Sequence, residues 1–264
     1  MSVRQIIKDI RRLERHHKKA HKMPCLCIIK MGLKLYSVSD GPPSLAVRMT
    51  LKALDIPFEL VEVDFAAGAH MTEEYDRKNP QKEIPVLDDN GFFLSESNAI
   101  MQYLCDKYRP ESSLYPKDPQ ARALVNHRLS FNLSTYYKYI MEYVMAPIFF
   151  GYERTALGLK KVHIGLRCFE EYLSRLGKKY SAGDDLTLGD IQFAAATMCL
   201  EAIGFSLENY PKVSAWYATF KKEQPQLWAI ADAGMQEVRQ FNANPPDLGH
   251  LNHPIHPKKI IEKK

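Results

Sequence analysis

The segment Asn79–Leu104, NPQKEIPVLDDNGFFLSESNAIMQYL, constrains the fold more than any other part of this chain. Its pattern predicts an extended stretch that stops at Pro85, two short strands joined by an Asn-Gly turn, and an apolar helix that begins near Glu96. A proline has no N–H to donate, so the main-chain groups of Ile84 are free to pair with a ligand. An X–Pro bond adopts the cis form at a cost of only about 0.5–1 kcal/mol, and we expect a cis Pro85 at this edge.

The predicted helix start adds a second binding element to the same segment. The first N–H groups of a helix lack intrahelical partners and attract anions, and the Ser97 hydroxyl is a further donor. A small ligand that carries both a peptide bond and a carboxylate would therefore fit this segment.

Length and composition place the chain among soluble globular proteins. With 264 residues, of which 45% are hydrophobic, it can bury a core and divide into two domains. No apolar run in the sequence approaches the roughly 20 residues needed to span a bilayer, so we expect no membrane partner. The five cysteines are too sparse, and odd in number, for a disulfide framework, which favours a reducing compartment such as the cytoplasm.

The formal net charge of +5 is unevenly distributed along the chain. Residues 1–31 hold nine basic and two acidic residues, whereas the rest of the chain holds 27 basic and 29 acidic residues. We therefore do not expect the folded body to bind nucleic acid, and any attraction to polyanions belongs to the basic leader. We interpret this leader as a poorly ordered appendage or an extension upstream of a start at Met31. A targeting role, including delivery to the nucleus, is the alternative.

Neither terminal segment predicts a metal site. The Cys25-x-Cys27 pair lacks the two-residue gap and the second ligand pair of a zinc site. His250, His253 and His256 lie in a tail, residues 244–264, whose Pro, His and Lys content predicts disorder. Without a fixed scaffold these histidines form only a weak metal motif, so we expect no bound metal.

Two kinds of structure follow one another between the terminal segments. Up to Tyr108 the periodicity predicts the order β-α-β-α-β-β-α, a mixed sheet with helices, and three prolines mark residues 109–119 as a linker. The pattern of residues 120–243 is helical, with helices predicted at Leu124–Tyr143, Leu157–Leu176, Leu188–Ile203, Val213–Phe220 and Leu227–Phe241. Thr187 and Asp190 form a capping-box pattern, which we interpret as a folding signal.

Several motifs accompany this order of domains. They are Asn-Pro-Gln ahead of Ile-Pro, the Glu96-Ser97 pair, and the stretches Leu35-Tyr36, Pro42-Pro43, Gly68–His70, Leu87–Gly91, Leu114–Asp118 and Met145–Ile148. With them, Leu33–Phe241 resembles the cytosolic glutathione transferase superfamily, in particular its insect delta and epsilon classes. More narrowly, the chain is similar to the transferase-like domain of an insect FLYWCH-type zinc-finger protein.

The resemblance implies a fold and a co-substrate. The fold is a thioredoxin-like α/β domain at residues 32–108 followed by an all-α domain at residues 120–243. The co-substrate is glutathione, whose cysteinyl peptide would pair with the main chain of Ile84 beside cis Pro85. Glu96 would accept from the γ-glutamyl ammonium, Ser97 would donate to its carboxylate, and Lys82 would reach the glycine carboxylate. The supporting candidates are His70, Gln81 and Asn98, although His70 could equally be a surface histidine.

One expected catalytic side chain is missing. In the resembling classes a serine immediately before the Pro-Pro pair donates to the glutathione sulfur, and here that position is Gly41. Losing a hydrogen bond to a charged group, worth about 1.5–3 kcal/mol, could raise the thiol pKa by about one to two units. The hydroxyls of Ser39, Ser44 and Tyr36 are possible substitutes, with Ser39 preferred. The start of the helix after Pro43 adds a partial positive charge.

The resemblance also implies a wall for a hydrophobic electrophile between this loop and the helical domain. The residues expected there are Pro43, Tyr136, Tyr137, Ile140, Ile148, Phe149 and Phe241. For Ile140 we favour core packing over a place in this wall.

Two functions therefore remain open from the sequence. The first is a glutathione transferase that conjugates the thiol to small hydrophobic electrophiles, as in detoxification. The second is a glutathione-binding or non-catalytic scaffold that keeps the fold without turnover. The glycine at position 41 and the basic leader favour the scaffold, whereas the intact segment Asn79–Leu104 and the aromatic wall favour the transferase, which we prefer. The resemblance also implies a homodimer.

Overall fold

The computed structural model describes residues 32–251. The basic leader, its Cys25-x-Cys27 pair, and the tail histidines His253 and His256 lie outside these residues.

The first part of the described chain is a four-stranded mixed sheet with helices. In chain order its elements are β1 (Leu33–Ser37), α1 (Pro42–Ala53), β2 (Glu59–Glu62), a 3₁₀ turn (Ala69–Met71), α2 (Glu73–Asp76), β3 (Val86–Asp89), β4 (Phe92–Leu94) and α3 (Ser97–Tyr108). The strand order is β2-β1-β3-β4, with β1 parallel to β2 and the other two pairs antiparallel. This is the predicted element order, and the domain is thioredoxin-like as expected.

The second part is entirely helical, as predicted. Its elements are α4 (Pro119–Phe131), a π segment (Asn132–Tyr136), α5 (Tyr137–Ile140), a second π segment (Met141–Met145), α6 (Ala146–Phe150), α7 (Ala156–Leu176), α8 (Leu188–Ala202), α9 (Pro211–Glu223) and α10 (Pro225–Ala243). The helix predicted at Leu124–Tyr143 is part of a longer helical run, Pro119–Phe150, which the two π segments divide. The other four predicted helices are present with ends shifted by a few residues.

Helix α1 joins the two parts of the molecule. Pro42 and Pro43 occupy its first turn, where an N–H would have no intrahelical partner. Leu45, Val47 and Met49 are fully buried, because α1 contacts α3 within the α/β domain and α8 and α10 of the helical domain. The loop between β1 and α1 therefore lies at the junction of the domains.

The core of the helical domain combines stacked aromatic rings with a buried carboxylate. The rings of Phe169 and Phe193 stack with their centroids 4.0 Å apart. Asp190 is fully buried and accepts hydrogen bonds from the Thr187 N–H at 2.9 Å and the Trp216 indole N–H at 2.8 Å. The capping box between Thr187 and Asp190 is formed, which agrees with its interpretation as a folding signal.

Residues 244–251, after α10, fold back onto the α/β domain. Leu248 and Leu251 are buried, and Leu251 lies against Gly68. The His250 Nε2 atom is 2.7 Å from the carbonyl oxygen of Ala66. The disorder predicted for the tail therefore does not extend to these residues, because two leucines among polar and proline residues suffice to dock them.

None of the helices described between residues 32 and 251 combines the length and hydropathy required for a membrane crossing. Over the same residues, no cluster of three or more His, Cys, Asp or Glu side chains could hold a metal ion.

Candidate active site

A cleft of about 900 Å³ lies between the α/β part and the helical part of the chain. One wall comes from the loop after β1, the segment 81–85 and the start of α3, and the other comes from the run with the π segments and from α10. The predicted site residues that line the cleft are Ser39, Gly41, Pro43, His70, Gln81, Lys82, Ile84, Pro85, Glu96, Ser97, Asn98, Tyr137, Phe149 and Phe241. The predicted residues that are buried elsewhere are Ser44, Tyr136, Ile140 and Ile148.

The extended edge before β3 has the predicted form. The peptide bond between Ile84 and Pro85 is cis. Pairing between β1 and β3 ends at Val86, so Ile84 lies beyond the hydrogen-bonded ladder and at the cleft. The buried Asn79 side chain donates to the carbonyl oxygen of Glu83 at 2.9 Å and anchors this edge from behind. The Asn-Pro-Gln motif thus supports the edge, whereas Ile84 itself is presented to the cleft.

The start of α3 is held by a residue that the sequence analysis missed. Gln192 of α8 donates from its Nε2 atom to the Ser97 Oγ atom at 3.0 Å and to the Asn98 Oδ1 atom at 2.8 Å. Because the Ser97 oxygen accepts this bond, its own hydrogen remains free to point to a ligand. Gln192 follows the capping box by two residues, and only the tertiary structure, in which α8 packs on α1, brings its side chain to the start of α3.

Glu96, immediately before α3, has a backbone conformation that non-glycine residues seldom adopt, with φ 67° and ψ 106°. Its carboxylate accepts a hydrogen bond from Gln81 at 3.1 Å. Non-glycine residues at positive φ cluster at ligand sites, where the surrounding structure maintains the strain. The conformation is therefore consistent with a binding role for Glu96.

Lys82 and His70 lie on the same side of the cleft. The Lys82 ammonium is 3.4 Å from the Met71 carbonyl oxygen and 3.9 Å from the Asp76 carboxylate. His70 is buried and stacks on Phe65 with ring centroids 4.4 Å apart. The alternative of a surface histidine is thereby wrong, because His70 forms part of the cleft wall.

The loop between β1 and α1 has no hydroxyl that is free to face the cleft. Gly41 caps α1, and a Cβ atom there would lie 2.7 Å from the Val38 Cγ2 atom, so a serine would require Val38 to move. Ser44 is fully buried, and its oxygen accepts a long bond of 3.4 Å from the Val38 N–H. Ser39 faces the cleft, but its hydroxyl donates to the Glu237 carboxylate at 2.6 Å. Ser44 was thus predicted wrongly, and the Ser39 hydrogen is already engaged.

Tyr36, the third candidate donor, is also engaged elsewhere. Its ring packs edge-to-face against Tyr75 at 6.3 Å, in a cluster of buried residues around Val63 and Val86. The alternation of β1 directs it to the face of the sheet away from the cleft lining.

Two acidic residues that the sequence analysis did not select line the same part of the cleft. Asp40 lies between Ser39 and Gly41, and Glu237 reaches the loop from α10. Burial, with a smaller contribution from the nearby Glu237 charge, raises the pKa of Asp40 from 3.8 to about 6. Helix α10 can approach this loop closely because Gly234 has no Cβ atom. A Cβ atom there would lie only 2.9 Å from the Ser39 carbonyl oxygen.

The helical wall of the cleft is a stripe of apolar side chains spaced by four residues. Its members are Leu133, Tyr137, Met141, Met145 and Phe149. A parallel stripe, one residue earlier at each step after Asn132, is buried in the helical core and consists of Tyr136, Ile140, Val144 and Ile148. Tyr136, Ile140 and Ile148 therefore belong to the core and do not line the cleft, which for Ile140 agrees with the core packing favoured from the sequence. The Tyr136 hydroxyl pairs with Thr197 at 2.9 Å within the core.

The two π segments explain why stripes of this spacing stay aligned. In an α-helix four residues advance about 400°, so a four-residue stripe drifts by about 40° per step and about 160° over four steps. A π turn, whose hydrogen bonds join residues five apart, holds more residues per turn and corrects this drift. Without the π segments at Asn132–Tyr136 and Met141–Met145, either Leu133 or Phe149 would leave the cleft.

The remaining wall comes from α10 and the tail. Phe241 packs edge-to-face on Phe149 at 5.5 Å, and Phe65 from the α/β domain approaches Phe149 at 6.3 Å. Pro246 and Leu248 of the tail also line the cleft. A polar edge on one domain thus faces an apolar wall on the other, a two-domain arrangement suited to joining a peptide-like acid to an apolar partner.

Comparisons with known proteins agree with this geometry. Residues 31–106 match the family described as Glutathione S-transferase, N-terminal domain, and residues 136–223 match Glutathione S-transferase, C-terminal domain. Glutathione S-transferase D6 of Drosophila melanogaster is 35% identical over 211 residues, which cover 80% of this chain and 97% of that protein.

Two solved structures are similar over nearly their full length. A diazinon-metabolizing glutathione S-transferase of the silkworm, Bombyx mori, is 58% identical with a TM-score of 0.76, covering 79% of this chain and 100% of that one. A delta-class glutathione transferase of Nilaparvata lugens is 35% identical with a TM-score of 0.75, covering 80% and 99%. The chain belongs to the glutathione S-transferase family, with relatives among the insect enzymes.

Proposed function

We propose that the protein conjugates the thiol of glutathione to small hydrophobic electrophiles. The observation that carries this proposal is the cleft itself. The main chain of Ile84 beside cis Pro85 and the free helix start at Ser97 lie on one wall, and the apolar stripe that includes Tyr137 lies on the other.

The polar wall can hold each part of glutathione. The cysteinyl peptide pairs with the main chain of Ile84. Glu96 accepts from the γ-glutamyl ammonium, while Ser97 and the first N–H groups of α3 donate to the carboxylate. Lys82 attracts the glycine carboxylate, and its two weak contacts, at 3.4 and 3.9 Å, are easily exchanged for a ligand.

The apolar wall can hold the electrophile. Pro43, Tyr137, Phe149 and Phe241 contribute ring and aliphatic surface, and Met141 and Met145 add flexible side chains that adapt to ligands of different shape. The silkworm relative is described as diazinon-metabolizing. Diazinon is therefore a suitable test electrophile for this protein, beside a chlorodinitrobenzene-type substrate.

One assay separates conjugation from a scaffold role, which the glycine at position 41 favours. The purified protein is passed over a glutathione resin and then assayed with the chlorodinitrobenzene-type substrate. We expect retention on the resin and a rate well above the uncatalysed background. Retention without a rate above background would support the scaffold, and no retention would contradict both functions.

We further propose that the protein acts as a cytoplasmic homodimer. Phe92 and Phe93 on the edge strand β4 are 50% and 38% exposed, and a second copy of the chain would cover them. Light scattering on the wild type and on Phe93→Asp tests the dimer, and the variant should shift to the monomer mass.

Tagged chains with and without residues 1–30 test whether the basic leader directs the protein to the nucleus. The narrower similarity to a transferase-like domain of a FLYWCH-type protein stays a hypothesis.

A further inference from the structure

The proposed reaction needs a group that takes the thiol proton of glutathione. A free thiol with a pKa near 8.5 is mostly protonated at neutral pH. In the loop that faces the cleft, Ser39 already donates to Glu237, Ser44 is buried outside the cleft, and position 41 has no side chain. Pro42 and Pro43 also remove two of the N–H groups that a helix start normally offers to an anion. The loop hydroxyls are therefore engaged or buried, and the helix start offers fewer N–H groups to the thiolate than usual.

Asp40 is the side chain of this loop that remains. It lines the cleft immediately before Gly41, on the same wall as Ile84 and Pro85. The groups that face it from the packed elements are Glu237 of α10, Tyr137 of the helical run and Cys199 of α8. Burial raises the pKa of both Tyr137 and Cys199, so these two stay uncharged at neutral pH. Among the acidic side chains that line the cleft, Glu237 acts on Asp40 itself, whereas Glu83 acts on Tyr137.

We infer that the Asp40 carboxylate accepts the proton of the glutathione thiol. The S–H bond breaks as the proton moves to the carboxylate, and the sulfur forms a bond to the electrophilic carbon. The leaving group departs with its electron pair, as chloride does from a chlorodinitrobenzene-type substrate. Asp40 then returns the proton to water, so no further reactant is needed.

The exchange keeps one negative charge in a buried place, first on the carboxylate and then on the sulfur. While Asp40 is protonated, its O–H donates a hydrogen bond to the sulfur, which replaces the bond that a serine at position 41 would supply. A pKa of about 6 leaves the carboxylate mostly ionised at neutral pH, and a base is most effective when its pKa is close to the working pH.

The test uses Asp40→Asn, which keeps the size of the side chain but cannot accept the proton. The turnover number is measured from pH 5 to 9 at saturating glutathione, together with the thiolate absorbance of bound glutathione. We expect a loss of turnover of about 10²-fold, within the range for a general base, and a move of the acidic limb from about pH 6 toward about pH 8.5. The KM for glutathione and retention on the resin should change little. Asp232→Asn, on α10 and outside the cleft lining, is the matched control.

The Glu237→Gln variant is a second test, and its expected result would not follow if Asp40 had a purely structural role. Removing the Glu237 charge should lower the pKa of Asp40 and move the acidic limb of the wild-type profile to lower pH. This variant also keeps the inference testable if Asp40→Asn does not fold.

The inference rests on the proposed conjugation, and the outcomes separate the two. If Asp40→Asn keeps the wild-type turnover and pH profile, the inference is overturned and the conjugation stands. If the wild type binds the resin but does not conjugate, both are overturned.

Discussion

The two walls of the cleft differ in how well their residues could be predicted from the amino-acid sequence. On the wall proposed to hold glutathione, the glutathione wall, Ile84, Glu96 and Ser97 all line the cleft. On the wall proposed to hold the electrophile, the electrophile wall, Tyr137 and Phe149 line it too, whereas neighbouring positions in the same helical run are core. The first wall is built by turns, a proline and a helix start, each of which acts over a few residues. The second depends on the rotational phase of a long helix, where one residue decides between cleft and core.

The largest expected effect comes from substituting the two adjacent tyrosines of the helical run, Tyr136 and Tyr137. Tyr136→Ala should reduce the free energy of unfolding by about 3–5 kcal/mol, because it empties a fully packed site and breaks the bond to Thr197. Tyr137→Ala, at the half-buried position on the cleft, should reduce the free energy of unfolding by less than half as much. It should instead raise the KM for the electrophile. Denaturant unfolding and steady-state kinetics on both variants check the prediction. Equal losses of stability would contradict the separation into two stripes.

Asp40 lies where the two walls meet, and its burial should be visible as pH-dependent stability. Its folded-state pKa of about 6 lies above its ordinary value of 3.8. The proton therefore stabilises the folded state fully below about pH 3.8, and this stabilisation, up to about 3 kcal/mol, is lost as the pH rises through about 6. Asn cannot ionise, so Asp40→Asn should be more stable than the wild type at pH 7.5, with a gap that narrows toward pH 4.5.

Thermal or denaturant unfolding at several pH values measures this gap. Asp232→Asn controls for the change of carboxylate to amide. If the difference in stability between Asp40→Asn and the wild type does not vary with pH, folding does not raise the pKa of Asp40. A variant that is more stable yet less active would place Asp40 at a site where stability is given up for function.

On the glutathione wall, the helix start should control affinity without affecting the fold. Ser97→Ala removes a hydrogen bond to a carboxylate, worth about 1.5–3 kcal/mol, and should weaken glutathione binding by about tenfold or more. Ser95→Ala is the matched control, since Ser95 lies two residues earlier and outside the cleft lining. Isothermal titration with glutathione measures both. Similar affinities for the two variants would remove Ser97 from the site.

The smallest effect concerns the tail, which closes the electrophile wall. Leu248→Ala should raise the KM for a bulky apolar electrophile by a few-fold, consistent with about 1 kcal/mol of lost apolar contact, and leave the KM for glutathione unchanged. Leu157→Ala, at a position that is 64% exposed, controls for the loss of a leucine side chain. If both values of KM change together, the tail acts on the whole cleft and not on the electrophile wall.

Much of the fold could be predicted because its signals are local. The order of strands and helices follows from periodicity, and the cis Pro85 and the capping box at Thr187 follow from residue chemistry. Gln192 could not be found in this way. Its side chain touches Ser97, 95 positions earlier in the chain, and no local pattern marks that contact.

The sequence by itself determined the extended edge at Ile84 with its cis Pro85, the helix start at Ser97 and the missing serine at Gly41, because each is a property of a few consecutive residues. The tertiary structure decided which face of the run Pro119–Phe150 meets the cleft, since two π segments shift the helix phase in a way that a 3.6-residue periodicity does not anticipate. The tertiary structure also decided which side chain of the loop is available to accept the proton of the thiol. Contact with Glu237 on a distant helix engages the hydroxyl of Ser39, and burial between the domains gives Asp40 its unusual pKa.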